Sequence, residues 1–141
     1  MPKIFGGAKV SSENTLRINA FCEECRERFE VNSQNLNKKE YNYLGKSIWI
    51  TYYDCPHCGR RHMVQADDVK SKQMLVKVSI MFARLYNTKR KGKTISKKTS
   101  DKFKKARNDL SLYRNNLMKE LNGKLATDIE NGTTVLLRFS I

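Results

Sequence analysis

Two cysteine pairs place the tightest limit on this chain. They fall as Cys22-Glu-Glu-Cys25 and Cys55-Pro-His-Cys58, with 29 residues between the pairs. A two-residue spacer lets both sulfurs of a pair face one ion, and two such pairs complete a tetrahedral shell of four thiolates. A closed shell leaves no position for water or substrate, so the metal is expected to hold the chain and not to react. Pro56 stiffens the second turn. Gly59 is free to adopt the left-handed conformation in which the chain doubles back with its amides toward the sulfurs. The first pair is followed by Arg26 instead, so that turn is less ideal. The expected cofactor is one structural Zn2+ on Cys22, Cys25, Cys55 and Cys58. Its tetrathiolate would carry about −2 formal charge, which Arg26, Arg28, Arg60 and Arg61 help to offset. Two disulfides are the competing use of the thiols. Metal is favoured because the opening MPKIFGGAKV lacks the apolar core of an export signal. His57 and His62 are read as surface or sheet-face residues in preference to ligands.

These knuckles resemble the zinc-ribbon group over about residues 17–66. The sequence CPHCG matches the group's pattern closely and CEEC more loosely. The resemblance implies two Cys-pair knuckles on adjacent β-hairpins clamping one zinc. It implies no single function, since members serve transcription, translation, enzyme scaffolding and protein docking. The small size, zinc staple and Lys/Asn-rich composition also resemble small phage or mobile-element proteins.

The hydrophobic period divides the chain into three parts. In residues 1–66, IWITYY (Ile48–Tyr53) is dense in β-branched and aromatic residues, and RFEV (Arg28–Val31) and RHMVQ (Arg61–Gln65) are weaker strands. The polar stretch Asn32–Lys39 reads as a loop. Residues 67–123 switch to a helical period. Met74, Leu75, Val78, Met81, Phe82 and Leu85 form one stripe, and Phe103, Ala106, Leu110, Leu117 and Leu121 with Tyr113 form a second. Asp67 and Asp68 suit the first helix's N-terminus, the second is expected to start at Thr99 or Ser100, and Asn122-Gly123 supplies its stop. In residues 124–141, Asn131-Gly132 between two strand-like runs signals a β-hairpin. The expected fold is therefore α+β: an N-terminal zinc ribbon of three or so short antiparallel strands, an antiparallel helical hairpin, and a C-terminal β-hairpin docked on the rest. No apolar run approaches the roughly 18 residues of a membrane span.

Charge points to the partner. The formal net charge is +14, and residues 67–123 carry 16 Lys/Arg against 5 Asp/Glu. Within them, Asn87–Arg107 holds ten Lys/Arg and one Asp: Lys89, Arg90, Lys91, Lys93, Lys97, Lys98, Lys102, Lys104, Lys105 and Arg107. Spread over a turn and two helix ends, such side chains can track phosphates, each contact releasing counterions. Eight of the ten are lysines, point charges that read a backbone, whereas bidentate recognition of guanine favours arginine. Arg60 and Arg61 make a smaller basic patch among Tyr41, Tyr43, Trp49, Tyr52 and Tyr53, where a base could stack. No Ser/His/Asp arrangement, paired carboxylates or phosphate-binding glycine spacing appears, so neither catalysis nor a small-molecule substrate is expected. The expectation is a cytoplasmic, non-enzymatic protein that binds nucleic acid or a nucleoprotein complex with little sequence preference, away from membranes. The alternatives are a docking adaptor or inhibitor of a larger machine, or a structural component of a viral or ribosome-associated assembly.

Overall fold

A computed structural model describes residues 17–140 of the chain, so the reading of MPKIFGGAKV lies outside the described residues. The architecture is α+β, as the sequence leads one to expect. Strands β1 (Arg17–Phe21) and β2 (Arg28–Asn32) pair antiparallel from Arg17↔Asn32 to Phe21↔Arg28, which leaves the first cysteine pair in the connecting turn. A second sheet has the order β5-β4-β3-β6-β7. Its strands are β3 (Asn37–Tyr43), β4 (Lys46–Asp54), β5 (Arg61–Asp67), β6 (Leu125–Asp128) and β7 (Thr134–Leu136). Helices α1 (Val69–Arg90) and α2 (Lys97–Leu121) lie in sequence between β5 and β6. Among the described residues, no helix is long and apolar enough to cross a membrane.

The N-terminal part holds two more strands than expected, and β3 is the one that the sequence hides. It begins inside the polar stretch read as a loop, and Tyr41 is its only buried residue. A strand that buries one side chain in seven shows almost no period-two signal. Its turn into β4 is equally unmarked: Leu44 (φ 51°) and Gly45 (φ 81°) are both left-handed, the backbone of a two-residue type I′ hairpin. Asn42 Oδ1 accepts the Gly45 amide at 3.1 Å. β3 then pairs with β6 at Tyr41↔Asp128 and Asn42↔Thr127, which ties the C-terminal hairpin to the N-terminal strands. The Asn131-Gly132 hairpin is present with a longer loop than that dipeptide usually closes. The Asp128 amide donates to Thr133 O at 2.8 Å, the Gly132 amide to Asp128 O at 2.7 Å, and Gly132 takes φ 73°.

Two compact units divide the chain. One comprises the described residues up to Lys38, Thr51–Val64 and Ser140. It buries Ala20, Val31 and Met63 around Cys22 and Cys55. The other comprises Lys39–Ile50 and Gln65–Phe139. It buries Tyr41, Ile48, Ile50, Ala66, Leu110, Met118, Leu121, Ala126, Leu137 and Phe139.

The helices begin where polar side chains can satisfy their free amides. Asp68 caps α1 by accepting the Ser71 amide at 2.9 Å, and Ser71 Oγ returns the contact by accepting the Asp68 amide at 2.8 Å. Ser96 caps α2, ahead of the expected start, by accepting the Thr99 amide at 3.2 Å. Asn122 ends α2 and Gly123 follows at φ 82°. Leu110 and Leu121 of the second stripe are buried, and Met118 joins them. The first stripe is different. Ser71 is the only buried residue of α1, and no residue from 72 to 109 is buried at all. Phe82, read as part of that stripe, is 57% exposed.

Candidate metal centre and basic tip

The four cysteines converge. Cys22 Sγ lies 3.5 Å from Cys58 Sγ, Cys25 Sγ lies 3.6 Å from Cys55 Sγ, and all four sulfurs sit within 4.8 Å of one another. A tetrahedral ion with bonds of about 2.3 Å to sulfur would set every S···S edge at about 3.8 Å, so the cage fits one such ion with little rearrangement. The thiols are unpaired by disulfides, and among the described residues no histidine nitrogen or carboxylate joins the set. Cys22 and Cys55 are buried, Cys25 is half-buried and Cys58 is exposed.

Both knuckles are built the same way. In the first, the Arg26 amide donates to Cys22 O at 2.7 Å and the Cys22 amide to Glu27 O at 3.0 Å. In the second, the Gly59 amide donates to Cys55 O at 2.9 Å and the Cys55 amide to Arg60 O at 2.8 Å. Arg26 and Gly59 hold the same position with φ of 63° and 80°. A left-handed residue with a Cβ costs about 1 kcal/mol or more relative to glycine. Arg26→Gly is therefore expected to stabilise the metal-loaded protein by about 1 kcal/mol, read as an upward shift of the urea midpoint at unchanged m. An unchanged or lower midpoint would mean that the arginine side chain more than offsets the backbone strain.

The thiols respond to one another. Burial pushes the Cys55 thiol up, but the backbone amides of Cys58 and His57 outweigh it and bring it down to about 6. For Cys25 the Glu27 amide acts downward, yet burial and the three neighbouring thiols lift it to about 12. Four thiols this close cannot all lose protons unless a cation compensates them, which is the electrostatic demand of a metal site.

Around the cage, several basic and aromatic side chains are engaged within this unit. Arg60 Nη1 reaches Glu24 Oε1 at 2.8 Å and so links one knuckle to the other. Arg61 Nε meets Asp54 Oδ1 at 3.0 Å while its guanidinium lies 3.8 Å from the Tyr52 ring centroid. His57 is exposed and His62 is buried. His62 stacks on Tyr53 at 5.1 Å, and its Nδ1 lies 3.1 Å from Ser140 Oγ. Burial first, then the Arg60 charge, holds His62 below the usual histidine range, so a neutral ring packs there.

No protein-family model, curated protein or solved structure matches this chain. Its own residues carry the functional argument.

The second cluster lies in the other unit, at the turn between the helices. Lys89 and Arg90 end α1, Lys91 and Lys93 occupy the turn, and Lys97, Lys98, Lys102, Lys104, Lys105 and Arg107 lie along the N-terminal part of α2. All ten are exposed. Of these ten, only Lys105 forms an ion pair among the described residues, with Asp109 at 3.0 Å. Arg107 lies 5.4 Å from the Phe103 ring centroid. The sequence pattern did not single out Tyr86, and it read Phe82 as part of the apolar stripe and not as an open ring. Phe82 and Tyr86, four apart on α1, are 57% and 59% exposed, with ring centroids 6.5 Å apart. The available signal was angular: Phe82 closes one edge of the stripe centred on Met74, Val78, Met81 and Leu85, and Tyr86 lies one step beyond it.

Proposed function

We propose that this chain is a non-enzymatic nucleic-acid-binding protein: four thiolates hold one structural zinc ion, and the helical tip neutralises phosphates. One observation carries the reading. Nine of ten exposed cations at the tip have no ion pair among the described residues, so their charge is open to a polyanion. Zinc suits the site because an all-sulfur tetrahedral set is a preferred structural zinc environment. Arg60 and Arg61, each already engaged with an acidic residue, act here as scaffold.

Fluorescence anisotropy with labelled DNA over a salt series tests the reading. Affinity is expected to fall steeply with salt. The quadruple variant Lys89→Gln, Arg90→Gln, Lys91→Gln, Lys93→Gln is expected to make the log–log slope on duplex shallower by roughly 3 to 4, about 0.9 per lost contact. An unchanged slope, or no binding near about 100 mM salt, would sink the proposal.

A second reading draws on the apolar side of α1. Val69, Val76 and Ile80 are all about half exposed or more and share one side of the helix, a surface suited to a protein partner. In that case the chain is an adaptor or inhibitor of a larger machine, or a component of an assembly. A protein partner would then remain bound after nuclease treatment.

A further inference from the structure

The tip carries more than charge. Phe82 lies about two helical turns before Lys89 and Tyr86 one turn before Arg90, with the two ring planes 25° apart. Across the hairpin, the Phe103 ring lies 6.1 Å from Phe82, and the Arg107 guanidinium approaches Phe103 in turn. Three aromatic rings thus form a short row in the basic segment of the hairpin. Four of the aromatic residues that the sequence offered for stacking are already covered or buried. Lys72 Nζ sits 3.4 Å from the centre of the Trp49 ring, Arg61 covers Tyr52, Tyr53 stacks on His62, and Tyr41 is 1% exposed. Phe82 and Tyr86 remain open to solvent on a helix that buries only Ser71. Leaving two large rings in water is unfavourable, and the cations beside them select what covers them.

We infer that Phe82 and Tyr86 form a stacking platform for unpaired bases, so that the ligand of the basic tip is single-stranded nucleic acid. The inference rests on the phosphate-binding reading of the tip and narrows it. A duplex hides the faces of its bases between neighbouring pairs, whereas a single strand offers each face to an aromatic ring. Phenylalanine and tyrosine rings accept any base face and read little of its edge, which agrees with a lysine-dominated backbone contact. Lys89 and Arg90 follow Tyr86 by about one 5.4 Å turn, close enough to meet the phosphates that flank a stacked base. An acidic protein would satisfy the cations and leave the ring faces without a planar partner.

The test uses the full zinc-loaded chain and the double variant Phe82→Leu, Tyr86→Leu, which keeps apolar bulk and helix propensity on an exposed face. The probes are a fluorescein-labelled single strand of mixed sequence, the same strand annealed to its complement, and inorganic polyphosphate as a base-free competitor. Circular dichroism verifies that the variant keeps its helices. The expected result is single-strand binding weakened about tenfold or more, with duplex affinity, polyphosphate competition and the salt slope all unchanged. Two results overturn the platform and leave the phosphate-binding reading standing. One is a variant that binds the single strand as well as wild type does. The other is a loss of equal size on polyphosphate, which would show that the rings only shape the hairpin. If wild type binds neither strand nor duplex, both inferences fall together, and capture of an acidic polypeptide such as polyglutamate would then support the protein-docking reading.

Discussion

Withdrawal of the proposed zinc ion is expected to abolish the folded structure of the unit that contains the cysteines. Among the described residues, the apolar side chains buried there are few: Ala20, Val31 and Met63, besides Cys22 and Cys55 themselves. A core of that size contributes little net stability once chain entropy is offset. Structural zinc in comparable four-ligand sites contributes about 10–16 kcal/mol of apparent free energy, as much as the whole stability of an ordinary domain. Hydrogen exchange with and without a strong chelator provides the readout. Amides of β1 and β2 should lose nearly all protection on chelation, while those around Leu110, Leu121 and Ile50 should retain most of theirs. Cys22→Ser should reproduce the effect without chelator, because Cys22 is fully buried and its replacement opens the shell. Retained protection of β1–β2 in the chelated protein would show that packing alone holds this unit.

The second large effect lies at the base of the helical hairpin. Asp67 is almost wholly buried, and its carboxylate collects four contacts. Oδ1 accepts from Arg114 Nε at 2.7 Å and from Ser71 Oγ at 2.8 Å; Oδ2 accepts from Gln65 Nε2 at 3.2 Å and from Arg114 Nη2 at 3.4 Å. The pair ties the end of β5 to α2 and orients Ser71, which completes the cap of α1. Breaking a buried ion pair from one side leaves the other charge uncompensated, at a cost of about 3–5 kcal/mol. Arg114→Met is therefore expected to lower stability by that amount in urea unfolding, since it strands a carboxylate that is only 3% exposed. Replacing both partners with apolar residues should cost much less, because no unpaired charge remains. A single variant as stable as wild type would mean that water reaches Asp67 and solvates it.

The cysteine cluster and the helices were legible in the sequence because each depends on local spacing. The two C-x2-C pairs name the four thiols that converge, and a 3.6-residue period survives over helices of 22 and 25 residues. The strands IWITYY and RHMVQ were legible by composition. What stayed hidden depends on partners distant in sequence. β3 is a strand because β4 and β6 flank it, and its residues Asn37, Lys38 and Lys39 announce nothing of that. The Leu44-Gly45 turn imposes a left-handed conformation on a leucine, against local preference, because the strands on either side require it. The first knuckle does the same to Arg26. At the tip, periodicity placed Phe82 correctly on the helix but said nothing of how far the opposing surface extends. Along residues 72–109 no side chain is buried, and the stripe of Met74, Val78, Met81, Phe82 and Leu85 is broader than one opposing helix can cover.

The partition of the chain into two units bears on how the protein can be dissected. The backbone passes from one unit to the other between residues 38 and 39, 50 and 51, 64 and 65, and 139 and 140. Neither unit is a continuous stretch of sequence. A portable cassette cut at residue 66 would include all four thiols but leave out Ser140, whose amide donates to Met63 O at 2.8 Å and whose hydroxyl meets His62. Strands β4 and β5 each contribute residues to both units. Grafting therefore has to respect four junctions instead of one. A single recombination crossover anywhere between residues 17 and 140 splits at least one unit, so neither can be exchanged whole by one crossover.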